Sequence, residues 1–192
     1  MNIVDFDRNI FLFLNIHVGK SQFLDTLTRL IVNEYFIPVS LALLTLYIWV
    51  REETHKRVLT ISALSVGLVN LIIELSNQFF IRPRPFTQLP TNLLFYKPTD
   101  PSFPSNAAAV GFALATSIFL IDKKLGTIAL LLAFSYSLSR VYAGVHFPAD
   151  VIVGALLGVL AVLFIAQFKT LIKQSTRLLE KIQTKLHLTV QN

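Results

Sequence analysis

Three short segments hold residues suited to gripping and attacking a phosphate. The most specific reads Ser139-Arg140, five residues, His146, three residues, Asp150. The second is Arg82-Pro83-Arg84-Pro85, and the third is Phe103-Pro104-Ser105-Asn106. His146 and Asp150 are four apart, so one helical turn puts them on a common face. Pro148 between them suits the first turn of a helix. The carboxylate can then accept a hydrogen bond from one imidazole nitrogen, fixing the tautomer and freeing the other nitrogen to attack. The same spacing also describes an ordinary helix start with an acid that complements the dipole. Arg140 adds a planar fork able to hold two phosphate oxygens. Arg82 and Arg84 offer the same fork on a segment stiffened by two prolines. All three arginines equally suit simple anchoring at lipid headgroups. Ser105 and Asn106 precede an apolar run, where either can cap a helix. An open helix N-terminus there also attracts anions.

One acid, Glu74, falls well inside an apolar run. Asn70, Glu74 and Asn77 share a helical face by spacing. Polar groups at such depth are expected to face the bundle interior. Two roles stand side by side for Glu74: a functional one, and pairing with Arg82 or Arg84 to hold the helices together.

The elements that position these residues are membrane helices. The 192-residue chain is 54% hydrophobic and 15% charged, with a mean hydropathy of +0.63. A soluble domain carries about 25% charged residues. With no cysteine, disulfides, cysteine ligands and cysteine nucleophiles are excluded. Five stretches read as spans: Tyr35–Val50, Val58–Ile81, Asn106–Ile121, Leu125–Val141 and Ala149–Phe168. The first extends back toward Leu24–Val32, with Pro38 as the expected joint. An N-terminal segment, Phe6–Val18, is too short to span; it is expected in the interface or as a short packed helix, and a sixth span forms if it inserts. The acidic start of the chain does not read as a cleavable signal.

Alternate joints gather the basic residues. Arg51, Lys56, Arg57, Lys123, Lys124 and five residues of the tail account for ten of the 17 Lys and Arg. The positive-inside rule places the tail in the cytoplasm and the loops 82–104 and 142–148 together on the outer face of the plasma membrane. The net charge of +6 therefore reflects topology, and no nucleic-acid partner is expected. Lys169–Leu188 has Leu171, Ile172, Leu178 and Leu179 on one helical face and Lys169, Lys173 and Arg177 on the other. That pattern reads as a basic helix on anionic lipid, or as a continuation of the last span into water. The expected division is 1–34 interfacial, 35–168 transmembrane and 169–192 amphipathic tail. Loop 82–104 is long and proline-rich, and loops of that kind are usually functional.

Together the segments resemble the type 2 phosphatidic acid phosphatases, a family of integral-membrane lipid phosphatases, over roughly residues 57–168. That family carries a lysine, six residues and Arg-Pro; then Pro-Ser-Gly-His or a variant; then Ser-Arg, five residues, His, three residues, Asp. The third pattern is complete here. The resemblance implies an all-α membrane bundle of five or six spans. It implies His146 as nucleophile, forming a phosphohistidine, and Asp150 as its orienting acid. Arg84 and Arg140 would hold the phosphate, helped by Ser105 and the N–H groups near Asn106, with Arg82, Ser139 and Glu74 as support. No metal or other cofactor is expected. Substrates would be lipid phosphates or diphosphates of the outer leaflet, such as undecaprenyl diphosphate, phosphatidylglycerophosphate or phosphatidate.

The chain departs from the family pattern twice. The lysine position holds Asn77, and the histidine of the second pattern is Ala107. In the family that histidine protonates the leaving oxygen. General acids contribute about 10²–10⁴-fold, so the chain is expected to be a slow or silent enzyme, with Lys97 and Asp100 as alternative proton sources. An engineered alanine and natural divergence both fit; Asn77 favours divergence. The alternative function is a protein that binds or transports lipid phosphates on the same scaffold, and a structural membrane protein with relic motifs is a third.

Overall fold

Helix boundaries follow local chemistry in the computed structural model, which describes residues 2–33, 35–51 and 57–178. Helix α1 (Ile3–Asn15) starts where the Asn2 side chain accepts the Asp5 N–H at 2.8 Å. Helix α2 (Gln22–Ile31) is capped by Ser21 in the same way. Next come α3 (Phe36–Arg51), α4 (Arg57–Phe79) and the single turn α5 (Pro85–Gln88). Helix α6 (Asn106–Ile121) is capped by Ser105, and α7 (Lys123–Tyr142) by Asp122. Helix α8 (Pro148–Gln167) opens on its proline, which has no N–H to leave unpaired. After a break at Phe168, residues 169–178 are again helical.

All five expected spans are helices, although the second ends at Phe79 rather than Ile81. By length and composition, α4, α7 and α8 each cross a membrane unaided. Helices α2 and α3 pass the same test only as a bent pair. The expected joint at Pro38 is displaced: the break lies between the two helices, and Pro38 sits in the first turn of α3, where proline is tolerated. Helix α6 has 16 residues, about 24 Å at 1.5 Å per residue, against a hydrocarbon core of about 30 Å. Its shortness suits its place. It forms the centre of the bundle, packed against α8, α7, α4 and α3.

Small residues let that centre close. Ala108, Ala109, Ala113 and Ala115 on α6 are fully buried. On α8, a Cβ built at Gly154 would lie 2.4 Å from the Ser105 carbonyl oxygen, and one at Gly158 would lie 2.3 Å from that of Ala109. Close backbone approach through small residues is how helices associate where lipid weakens the hydrophobic drive. Here the approach also joins the starts of both helices, since the Ser105 N–H donates to the Asp150 carbonyl at 3.0 Å. The outer faces keep exposed leucines such as Leu131, Leu156 and Leu160, as lipid contact requires.

Two expectations change, and for the N-terminal segment one of two alternatives is selected. Glu74 is exposed on the outside of α4 with Asn70, not inside the bundle. It pairs with neither arginine, because Arg82 is held by Asp7 and Asp150 and Arg84 by Asp100. The spacing defined a face, but the buried residues of α4, among them Ile61, Ser65, Val69 and Ile73, lie on another. The N-terminal segment packs as a short helix: Phe11 is fully buried with its ring 5.4 Å from that of Phe147. In the tail, Ile172 is buried in the bundle while Leu171 and Leu178 stay exposed. The rest of the tail pattern, including Leu179, and the basic joint at Lys56 lie outside the described residues.

Gly158→Val is expected to destabilise the bundle by about 1–3 kcal/mol, the usual penalty of overpacking. Thermal unfolding in detergent checks this, with Gly67→Val, whose added Cβ meets nothing within 4 Å, as the tolerant control.

Candidate active site

The turn between α7 and α8 aims the imidazole. Helix α7 ends with the Val145 and His146 N–H groups folded back on the Arg140 carbonyl at 3.2 and 3.3 Å. Gly144 makes this possible at φ +88, a region that favours glycine. A Cβ there would also strike Thr91 at 2.5 Å. The long loop is pinned beside the turn by Asn15, which donates to the carbonyls of Asn92 and Tyr142 at 2.8 and 2.9 Å. His146 is 2% exposed. It lines a cavity of 380 Å³ together with Arg84, Arg140, Asn106, Ala107 and Tyr136.

The histidine tautomer follows from its partners. Nδ1 lies 2.9 Å from the Ser102 carbonyl oxygen, which can only accept, so Nδ1 carries the proton. Nε2 then holds the lone pair. It faces Arg84, whose Nη1 lies 3.3 Å away. The expected contact with Asp150 is longer, at 3.7 Å, and is not the bond that sets the tautomer. Burial pushes the imidazole down to about 4, with Arg140 and Arg84 adding to the effect and Asp150 opposing it. His146 is therefore neutral at physiological pH, as a nitrogen nucleophile must be.

Asp150 is fully buried and organises the wall behind the histidine. Its carboxylate accepts from the Ser102 hydroxyl, from the Phe147 N–H at 2.8 Å and from Arg82 Nη1 at 2.5 Å. Arg82 also donates to Asp7 of α1 at 2.5 Å and stacks over the Phe147 ring at 4.1 Å. Asp7 in turn accepts the Ala149 N–H at 2.8 Å. Arg82 is thus a clamp between helices and does not line the cavity.

Arg84 and Arg140 are the cations of the cavity. Arg84 is 4% exposed and is oriented by the carbonyls of Asp100 and Val145, both at 2.9 Å, and by the Asp100 carboxylate. Arg140 is 2% exposed, donates to the Val32 carbonyl at 3.1 Å and lies 4.9 Å from the Phe95 ring centroid. Fixed guanidinium groups of this kind grip an oxyanion without paying again for ordering.

The remaining expected residues divide. Asn106 and Ala107 line the cavity. Ser105 is fully buried and its hydroxyl accepts the Ala108 N–H at 3.4 Å, so it caps α6 and does not line the cavity. Ser139 donates its hydroxyl to the Tyr136 carbonyl at 2.7 Å. Asn77 and Glu74 lie on α4, away from the lining residues. Among the described residues no group of three or more His, Cys, Asp or Glu is arranged to hold a metal ion. Sequence reasoning missed Ser102, Asp7 and Tyr136. A hydroxyl just ahead of Phe-Pro-Ser was the available signal for Ser102, whereas Asp7 shares α1 with Asp5 and Arg8 and nothing marks it out.

Residues 58–173 match the model of the PAP2 superfamily. Among curated proteins, the chain is 33% identical to the bacitracin transport permease protein BcrC of Bacillus licheniformis, covering 97% of this chain and 93% of that protein. It is 38% identical to an undecaprenyl-diphosphatase of Sulfolobus acidocaldarius, over 66% of this chain and 60% of the relative. It is 29% identical to the undecaprenyl-diphosphatase BcrC of Bacillus subtilis, over 79% of this chain and 78% of the relative. Among solved structures, Aquifex aeolicus LpxE superposes with a TM-score of 0.72 at 29% identity, over 88% of this chain and all of that one. A transmembrane PAP2-type phosphatidylglycerolphosphate phosphatase of Bacillus subtilis shares the fold, with a TM-score of 0.67 at 23% identity over 88% of each chain.

Two outcomes follow from the geometry. Arg82→Leu strands the buried Asp150 carboxylate and is expected to cost about 3 kcal/mol, read as a fall in the unfolding midpoint. The second concerns pH. The unfolded chain binds a proton at His146 near the usual 6.5, whereas the folded chain resists until about 4. The unfolded state then holds more protons in that window, so stability falls as pH drops from about 6.5 to 4. His146→Gln should flatten this part of the pH–stability curve measured by thermal unfolding.

Proposed function

The chain belongs to the PAP2 superfamily and is an all-α, multi-pass membrane protein; from that premise we propose that it removes the terminal phosphate of an undecaprenyl-diphosphate-type lipid at the extracytoplasmic face. The observation that carries this reading is a neutral imidazole with its Nε2 lone pair facing Arg84, in a cavity that Arg140 also lines. Nε2 attacks the terminal phosphorus. The bridging P–O bond breaks and its electron pair leaves with the lipid monophosphate. Water then attacks the phosphohistidine, the N–P bond breaks, and inorganic phosphate departs. Arg84 and Arg140 stabilise the charge on the transferring phosphoryl oxygens. Asn106, in the first turn of α6, lies on the same cavity. Asp150 acts by holding Ser102, whose carbonyl orients the imidazole. The basic joints and tail support a cytoplasmic C-terminus.

Ala107 favours a diphosphate over a monoester. Cleaving a diphosphate releases a phosphate, whose second pKa is about 6, and such a group leaves without first being protonated. Cleaving phosphatidate releases an alkoxide, a far stronger base, which needs the missing acid. A site with Ala107 on its wall is thus slow toward diphosphates and nearly silent toward monoesters. Two of the relatives are undecaprenyl-diphosphatases by name, in keeping with that choice of substrate.

The second reading, a lipid-phosphate binding or transport protein, is favoured by the same alanine and by the name of the Bacillus licheniformis relative. Ala107→His separates the two. If the scaffold is catalytic, the substitution raises phosphate release from phosphatidate by about 10²–10⁴-fold and from undecaprenyl diphosphate by much less. Lipid binding with no release from either form of the protein would establish the binding reading.

A further inference from the structure

A second charged cavity lies at the other end of the bundle. Helices α6 and α8 start at the candidate site and run away from it, while α4 runs toward it. The start of α4, the end of α6 and the end of α8 therefore meet about 30 Å from His146, at 1.5 Å per helical residue. There Arg57, Lys169, Lys173 and Arg177 surround a cavity of 540 Å³ floored by Ile61, Ile121 and Ile172. We propose that this cavity binds the phosphate headgroup of an anionic phospholipid, with the apolar floor against the first carbons of its chains.

The cations converge from two elements. Lys169, Lys173 and Arg177 recur every four residues, so they share one face of the tail helix; Arg57 faces them from the start of α4. Among the described residues no carboxylate lines the cavity and none pairs with any of the four cations. Four like charges around one space repel, and an anion between them removes that repulsion. The tail is also fixed in position. Ile172 is 4% exposed within the bundle core, and the buried Thr60 and Thr176 hydroxyls are hydrogen-bonded at 3.0 Å. Leu171 and Leu178 stay exposed, so only part of the helix's apolar surface is drawn into the bundle. The helix buries Ile172 and brings its cations around a cavity.

The location selects the lipid. Two charged sites separated by about a bilayer's hydrocarbon thickness place this one at the headgroup level of the opposite leaflet. Basic pockets between transmembrane helices at that level suit phosphate headgroups. A free phosphate satisfies the cations equally but leaves the isoleucine floor uncovered.

The test uses the full chain in detergent and native mass spectrometry with phosphatidylglycerol, phosphatidylethanolamine or soluble glycerol phosphate. Phosphatidylglycerol should bind roughly tenfold or more tightly than either competitor. Lys173→Gln with Arg177→Gln should weaken that binding by roughly 30-fold, given the usual contribution of each cation at an anionic surface. Lys123→Gln with Lys124→Gln removes the same charge from the same end of the bundle, outside the cavity, and should change binding by less than about threefold. Ile121→Trp fills the floor without altering charge and should also displace the lipid. Equal losses in the two charge pairs would reduce the effect to general surface potential and overturn the site. Equal affinity for glycerol phosphate would overturn the lipid assignment. Unchanged binding in both the charge-pair and Ile121→Trp variants, with unfolding midpoints matching the parent, would overturn the proposal entirely.

Discussion

A carboxylate sealed from solvent, Asp150, is the constraint around which the site is assembled. Burying an unpaired carboxylate costs several kcal/mol, so its oxygens must find donors. They find Arg82, the Ser102 hydroxyl and the Phe147 N–H. Arg82 and Ser102 stand near the two ends of the long loop, and Phe147 immediately precedes α8. Satisfying one acid therefore joins the long loop to the start of α8, and Arg82 carries the connection on to Asp7 of α1. Ser102, once held, presents its carbonyl to the imidazole. The acid thus orients the histidine through a neighbouring residue and contributes only weakly by direct contact, at 3.7 Å.

The second organising effect is the pairing of a neutral imidazole with fixed cations. Arg84 and Arg140 are buried and tied to backbone carbonyls, so their geometry is set before any anion arrives. Burial, with a smaller contribution from the same cations, keeps a proton off His146. One arrangement supplies both the grip on the oxyanion and the free lone pair. On the proposed mechanism Ala107 leaves that arrangement intact and removes only proton delivery, so the leaving group of the substrate becomes decisive.

Much of this was legible in the residues. The apolar runs located every long helix, and the His-x-x-x-Asp and Arg-Pro patterns located the cavity. Spacing along one helix states which residues share a face but not which way that face turns. Glu74 and Asn70 shared a face that turned outward, because the inward drive on α4 comes from packing against α6 and α8. Spacing is equally silent about partners distant in the chain. Asp7 lies 75 residues from Arg82, and nothing in an N-terminal helix with two aspartates announces that one of them closes the wall of the site. Ser105 looked like a phosphate ligand and a cap alike; the geometry gave it to the cap.

The account rests on covalent transfer to His146. Rapid-quench peptide mass spectrometry of the protein mixed with undecaprenyl diphosphate tests this most directly. Transfer predicts a phosphoryl group on the His146 peptide, formed before inorganic phosphate is released and lost with His146→Gln. Phosphate release with no labelled histidine at any time would contradict the mechanism and leave the arginines and the imidazole as a binding cradle.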